Sequence, residues 1–346
     1  MYPINLTKKY DIHLVSLFAR MQKLKLLILK SVPYILFLIS LGIGMACSVH
    51  SIAQSRYKTQ WSVTNDNDLY LLTYQDQYYT NGVSFQFRQA RSPSSGSLLS
   101  RKSISTWTIG HKMYNAYSAQ IDSIQAVDRP ITSYIYAAYQ VDYYRSANHV
   151  WNLHAELGMI GPIAQGKPLQ EGLHNLFGMY AARGWEYQLK NAIGANVGIS
   201  YSRRIRNFSN WGDWAFQTEG KLGTNNLQAG LQTTIRVGKL LDMMSSAHWG
   251  GQLSVDPDKA DREWYFYYSP GIRVVGYDAT IQGGLFNKDK GPVVGVPQPV
   301  VLFSQTGGVY TFKSWTLGAH FTFSTKETTR SFFRHQYGSM RLAYRY

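Results

Sequence analysis

Beyond residue 56 the commonest pattern along the chain is strict alternation of apolar and polar positions. Val83, Phe85 and Phe87 alternate with Ser84, Gln86 and Arg88; Leu227, Ala229, Leu231, Thr233, Ile235 and Val237 alternate with Gln228, Gly230, Gln232, Thr234 and Arg236. Trp315, Leu317, Ala319, Phe321 and Phe323 do the same against Thr316, Gly318, His320 and Thr322. A period of two places one set on each face of an extended strand. Several runs reach about 9–11 residues, the length a tilted strand needs to cross a bilayer. The chain closes on Met340, Leu342, Tyr344 and Tyr346 alternating with Ser339, Arg341, Ala343 and Arg345. A final amphipathic strand ending on an aromatic resembles the signal read by the barrel assembly machinery of the outer membrane. The pattern predicts an all-β protein, an antiparallel transmembrane β-barrel of about twelve strands, least legible over residues 247–312. Residues 92–103 read as a turn region.

One segment departs from this period. After a strand over 151–159 come Gly161 and Pro162. Leu169, Leu173, Leu176 and Phe177 then fall at i, i+4, i+7 and i+8. That is helical spacing, and Gly178 is placed to end the helix. A short helix over 167–178 in an extracellular loop is expected to pack on the barrel rim and wall a site.

Composition separates a membrane barrel from a soluble sheet. The chain holds 26 Tyr and 9 Trp among 45% apolar residues, yet its mean hydropathy is slightly negative. Amphipathic aromatics gather at membrane interfaces, and abundant aromatics without long apolar runs fit a barrel better than a helical membrane protein. The one long apolar run, residues 32–47, follows Lys23, Lys25 and Lys30 and precedes Ser51-Ile52-Ala53. This reads as a signal peptide over 1–53, with the barrel over 54–346. A membrane anchor is disfavoured by Pro33 and two glycines in a run of about 16 residues. Gly44-Met45-Ala46 before Cys47 makes a poor lipobox. Met21 is an alternative start.

The leader takes six of 35 basic residues and one of 20 acidic ones, so the remainder still carries +10. Without a basic run interleaved with aromatics, that charge points to anionic lipid headgroups, with no nucleic-acid partner expected. Cys47 lies in the leader, so a metal in the mature chain must take nitrogen and oxygen ligands.

The common catalytic signatures, a G-x-S-x-G elbow, an H-E-x-x-H pair and a P-loop, do not occur. Three clusters remain. Asn65-Asp66-Asn67-Asp68 ends the first strand. It is a polar loop tip or a set of hard oxygen donors suited to calcium, although Leu71 stands where an EF-hand loop needs glycine. Tyr78-Tyr79-Thr80-Asn81-Gly82 opens the second strand and by itself is a turn with interfacial aromatics. Gln170-x-x-x-His174 places two side chains one turn apart on one helix face. A lone histidine is more often structural than catalytic.

Taken in order, the motifs resemble the outer-membrane lipid A 3′-O-deacylases of the LpxR type. They are Ser62-Val63-Thr64-Asn65-Asp66, Tyr79-Thr80-x-Gly82, Asp128-Arg129-Pro130, Gly158-x-Ile160-Gly161-Pro162, Gln170-x-x-x-His174-x-x-x-Gly178 and Gly184-Trp185-x-x-Gln188-Leu189-x-Asn191. The resemblance implies a monomeric outer-membrane enzyme, acting at the extracellular side on lipid A or lipopolysaccharide as a calcium-dependent carboxylic ester hydrolase. It places His174 as general base, Asp66 as calcium ligand, Asn65 and Thr80 at essential polar positions and Gln170 as a supporting group. Neutral imidazole suits activation of water near pH 7, and a cation suits the charge developing on an ester carbonyl. Two departures stand out. Some relatives carry basic residues before the Asp-Arg-Pro motif, where 119–127 has none. Some also carry an acid six positions past the histidine, where Tyr180 stands. An outer-membrane phospholipase or other acyl hydrolase, and a non-catalytic porin-like barrel, are the alternatives.

Overall fold

The computed structural model describes residues 57–71, 76–91, 102–208, 211–254 and 262–346. The leader and residues 92–101 of the expected turn lie outside them; Lys102 and Ser103 already belong to a strand. The described strands are β1 (Thr59–Asn67), β2 (Tyr79–Arg91), β3 (Lys102–Tyr114), β4 (Thr132–Ser146), β5 (His149–Ile160), β6 (Ala192–Asn207), β7 (Gly212–Gly223), β8 (Asn226–Lys239), β9 (Glu263–Asp278), β10 (Val300–Phe312), β11 (Trp315–Ser324) and β12 (His335–Arg345). Each pairs antiparallel with its chain neighbours, and β1 pairs with β12 to close the barrel. Closure removes the open edges that a sheet could not leave unpaired in hydrocarbon. The expected twelve-strand antiparallel barrel is what forms.

By internal contacts, 57–172 and 181–346 make one compact unit, the barrel, and Leu173–Tyr180 falls outside it.

Side-chain parity follows the sequence pattern. Trp61, Phe85, Trp107, Ile109, Leu231, Leu317, Phe321 and Met340 are exposed on the outer wall. Arg88, Asp142, Glu156, Asn196, Asp213 and Arg236 are buried on the inner side. This inverts a soluble protein, because the solvent of the outer face is lipid and polar groups find partners only in the lumen.

The stretch least legible in sequence, 247–312, begins inside a plug and also holds β9 and β10. Residues 240–254, between β8 and β9, fold against the inner face at the end of the barrel that holds Thr59 and Arg345. Met243, Trp249 and Leu253 pack with Ile104, Tyr144, Val150 and Ala215. The loop's carbonyls cap inward cations and hydroxyls. Arg88 donates to Gly250 O at 2.8 Å, Lys102 to Met244 O at 2.7 Å and Tyr144 Oη to Trp249 O at 2.7 Å. Arg236 Nη2 meets Asp213 Oδ2 at 2.6 Å, Arg236 Nη1 donates to Ser246 Oγ at 2.6 Å, and the same nitrogen lies 3.6 Å from Glu263. Buried ion pairs so enclosed are strongly destabilised when one partner is lost, by about 3–5 kcal/mol. The intact protein is expected to give no steady conductance across a planar lipid bilayer; porin-sized steps that persist in plug-intact protein would contradict this arrangement.

Candidate active site

At the opposite end of the barrel, β1 stops at Asn67 and the chain turns through a 3-10 helix over Asp68–Leu71. The Asn67 side chain caps that turn, accepting from Leu69 N at 2.7 Å. Asn65 has the outward parity of Trp61. It donates to Gly82 O at 2.9 Å and accepts from Tyr70 Oη at 2.6 Å, so it braces the turn against β2. Asp66 has the opposite parity. Its two oxygens accept from Tyr79 Oη and Ser339 Oγ, each at 2.6 Å, inside the lumen. Gly82 makes room for this contact, since a Cβ there would stand 1.9 Å from Tyr79 Oη.

Thr80 reaches different partners. The β2–β3 register shifts between Tyr79 and Asn81, so Thr80 is the extra residue of a bulge and leaves the alternation. It is 1% exposed, and its hydroxyl lies 2.7 Å from Asp76 Oδ1 and 3.3 Å from Asp68 Oδ1. Gln77 N donates to Asp68 Oδ2 at 2.7 Å. The carboxylates brought to Thr80 are therefore Asp68 and Asp76, whereas the sequence reading selected Asp66. The strand's end explains the difference. With the extended backbone abandoned after Asn67, Asp68 no longer follows the alternation that sets Asp66. Asp76 was not singled out; its signal was its position four residues before Thr80. Burial, and then the charge of Asp76, push the Asp68 carboxyl up to about 8. Two carboxylates and a hydroxyl crowded where water is scarce suit a hard divalent cation, which neutralises the repulsion and takes oxygen ligands. Among the described residues no three His, Cys, Asp or Glu side chains gather into a metal cage, so such a cation would complete its shell with carbonyls and water.

The helix α1 (Gly166–Phe177) forms where the spacing predicted it, between β5 and β6. Its start is fixed to the outer side of the wall. Gly166 N donates to Ser133 Oγ at 3.0 Å, and His111 Nε2 lies 2.7 Å from Ala164 O. Leu169, Leu173 and Leu176 are exposed, while Gln170 and His174 are buried. The exposed leucines fit a helix with lipid on its apolar side. Gln170 Oε1 accepts from Trp185 Nε1 at 2.8 Å.

Within 173–180 the chain reverses at Gly178, whose φ is +64°. Met179 N donates to His174 O at 2.8 Å and Gly178 N to Asn175 O at 3.4 Å, a Schellman ending. That reversal returns the Tyr180 carbonyl to the ring of His174, 2.6 Å from Nδ1. With Nδ1–H donating there, the neutral imidazole carries its basic lone pair on Nε2. The side chain of Tyr180 is no acid, but its carbonyl does what an orienting carboxylate would do for tautomer and ring position.

Residues 36–346 match the family model described as "Outer membrane protein LpxR". The chain belongs to the LpxR family. Among solved structures it is similar to LpxR from Salmonella typhimurium, with TM-score 0.67 and 15% identity over 83% of this chain and 100% of that one. The β domain of the Bordetella autotransporter BrkA matches with TM-score 0.45 and 11% identity over 84% of this chain and 99% of that one. No curated protein sequence matches. Family and barrel together place the chain in the outer membrane.

One motif of the LpxR resemblance proves to be a structural hub. Asp128 is 4% exposed and accepts from Tyr117 N at 2.8 Å, Tyr78 Oη at 2.6 Å and Phe332 N at 2.9 Å. Arg129 stacks on Tyr114 at 4.2 Å, donates to Pro130 O at 3.1 Å and Thr280 Oγ1 at 3.2 Å, and lies 3.5 Å from Glu327. These bonds join the loops that precede β2, β4 and β12 to the short helix α2 (Ala279–Gln282). Asp128→Asn turns an acceptor of three bonds into a group that must also donate. It is expected to lower stability by about 2–3 kcal/mol, read as an earlier thermal transition and faster protease nicking of these loops. An unchanged transition would remove the hub from the account.

Proposed function

We propose that this LpxR-family protein is a lipid A deacylase of the outer membrane, hydrolysing the ester-linked 3′-acyl group with calcium as cofactor. The observation that supports the reading is His174: a buried imidazole on a helix with exposed leucines, its Nδ1 2.6 Å from the Tyr180 carbonyl, with Nε2 proposed as the base. Membership of the family supports lipid A as the substrate class. In the proposed reaction Nε2 takes a proton from water as the water oxygen adds to the ester carbonyl carbon. Collapse of the adduct breaks the bond to the sugar oxygen, which recovers the proton from the imidazolium and leaves as the alcohol. Asp68, Asp76 and Thr80 are proposed to hold the cation, which when bound supplies a positive charge for the developing oxyanion. Asn65 braces the turn that presents Asp68. Gln170, whose Oε1 accepts from Trp185 Nε1, is proposed as a supporting group. Asp66, hydrogen-bonded in the lumen, is assigned to the barrel's internal network.

Mass spectrometry of lipid A from cells with and without the protein tests this reading. The expected result is loss of the 3′-linked acyl mass. Unchanged lipid A beside shortened phospholipids would transfer the same apparatus to a phospholipase.

A further inference from the structure

The loop between β11 and β12 ends in a tip that neither the barrel nor the proposed chemistry uses. Arg330 and Arg334 are exposed, and between them Phe332 and Phe333 are each 54% exposed. Among the described residues neither arginine forms an ion pair. Two large aromatic rings held open to the surroundings are unfavourable in water and call for an apolar phase or partner.

Their exposure is built in, because the backbone beneath them is fixed. Phe332 N donates to Asp128 Oδ2 at 2.9 Å and Phe333 N to Tyr78 Oη at 3.0 Å. Ser331 N donates to Thr328 Oγ1 at 2.9 Å, and Thr329 N to Val296 O at 3.0 Å. The ring of Phe332 rests against Tyr117 at 5.4 Å. A tip anchored through five neighbours cannot fold its rings inward without breaking buried hydrogen bonds.

The surroundings indicate what covers it. The strands that carry the tip turn Phe321, Phe323 and Met340 to the lipid-facing wall, so the rings prolong that wall at the end where the site lies. The adjoining loop over 115–131 has Arg129 as its one basic residue, and that guanidinium is buried. Arg183, exposed beside the same loop, is engaged by the loop's Asp122, whereas Arg330 and Arg334 have no acidic partner among the described residues. Tyr78, which holds Phe333, lies two residues before Thr80.

We propose that residues 330–334 anchor a phosphate-bearing lipid of the outer leaflet, with Arg330 and Arg334 on the phosphate and Phe332 and Phe333 among its acyl chains. Guanidinium groups hold phosphate through paired N–H donors, and apolar rings are stabilised in the acyl layer. An acidic protein partner would use the arginines but leave both rings uncovered. Only the use of this anchor to present a substrate rests on the acyl-hydrolase reading; the binding does not.

The test uses the full chain in uncharged detergent, in a His174→Gln background so that no ester is cleaved. Calorimetry compares short-chain phosphatidic acid, diacylglycerol of the same chains, and inorganic phosphate. Phosphatidic acid is expected to bind at least about 10-fold more tightly than either, a difference of about 1.4 kcal/mol. Arg330→Gln with Arg334→Gln is expected to erase that preference without changing diacylglycerol binding. Phe332→Ser with Phe333→Ser is expected to weaken phosphatidic acid and leave inorganic phosphate unchanged. Equal binding of phosphatidic acid and diacylglycerol, or an arginine variant that keeps the preference, would overturn the proposal. Inorganic phosphate or an acidic peptide binding as tightly as phosphatidic acid would overturn it as well. Failure of the hydrolase reading would leave these bindings untouched.

Discussion

His174→Gln is expected to lower kcat for lipid A deacylation by about 10²–10⁴-fold, the range that a positioned general base contributes. Glutamine is the informative replacement. Its amide can still donate to the Tyr180 carbonyl that His174 Nδ1 meets at 2.6 Å, and the Schellman turn at Gly178 does not involve the side chain. What glutamine lacks is a basic nitrogen. A loss in kcat with little change in KM identifies a group that acts on the proton. Activity within a few-fold of the parent, in protein that folds to the same barrel, would mean that the base lies elsewhere.

The second large effect concerns Asp68 and is read through pH. Its carboxyl is pushed up to about 8 by burial and by Asp76, so at neutral pH a proton competes with any cation for the pair. Calcium binding is expected to weaken as pH falls through about 8, and Asp68→Asn to weaken it on the order of 100-fold, since ligand charge sets calcium affinity. The metal-free protein shows the complementary sign. A carboxyl whose folded pKa exceeds its unfolded value of 3.8 favours the fold while protonated. That contribution is complete below about pH 4 and is lost as pH rises through about 8. Thermal unfolding without divalent cations should therefore fall in temperature from pH 5 to pH 9, and Asp68→Asn should flatten the trend. A variant that binds calcium as tightly as the parent at every pH would remove Asp68 from the cation site.

The barrel was legible because period two survives in any strand with one lipid face, and the outward set Leu227, Leu231, Ile235 and Val237 is as the alternation requires. The helix was legible through the leucine spacing and Gly178. The plug over 240–254 was not, because its contacts are single carbonyls offered to Arg88, Lys102 and Tyr144, which leave no periodic trace. Part of the proposed site carried a sequence signal. Thr80, His174 and Gln170 stood out by motif. The choice among Asp66, Asp68 and Asp76 turned on where a strand stops and where a bulge falls, and one residue of slip reverses the face. The carbonyl of Tyr180 carries no residue signature, so a position read as a missing acid holds an orienting group supplied by the backbone.

The most direct measurement is acyl release by the purified protein from lipid A in detergent, with calcium or with chelator, followed by mass spectrometry of both products. The account predicts a free fatty acid and a lipid A short of its 3′-acyl group, dependent on calcium and on the imidazole of the loop helix. Intact lipid A under both conditions, from protein shown to be a folded barrel, would contradict it.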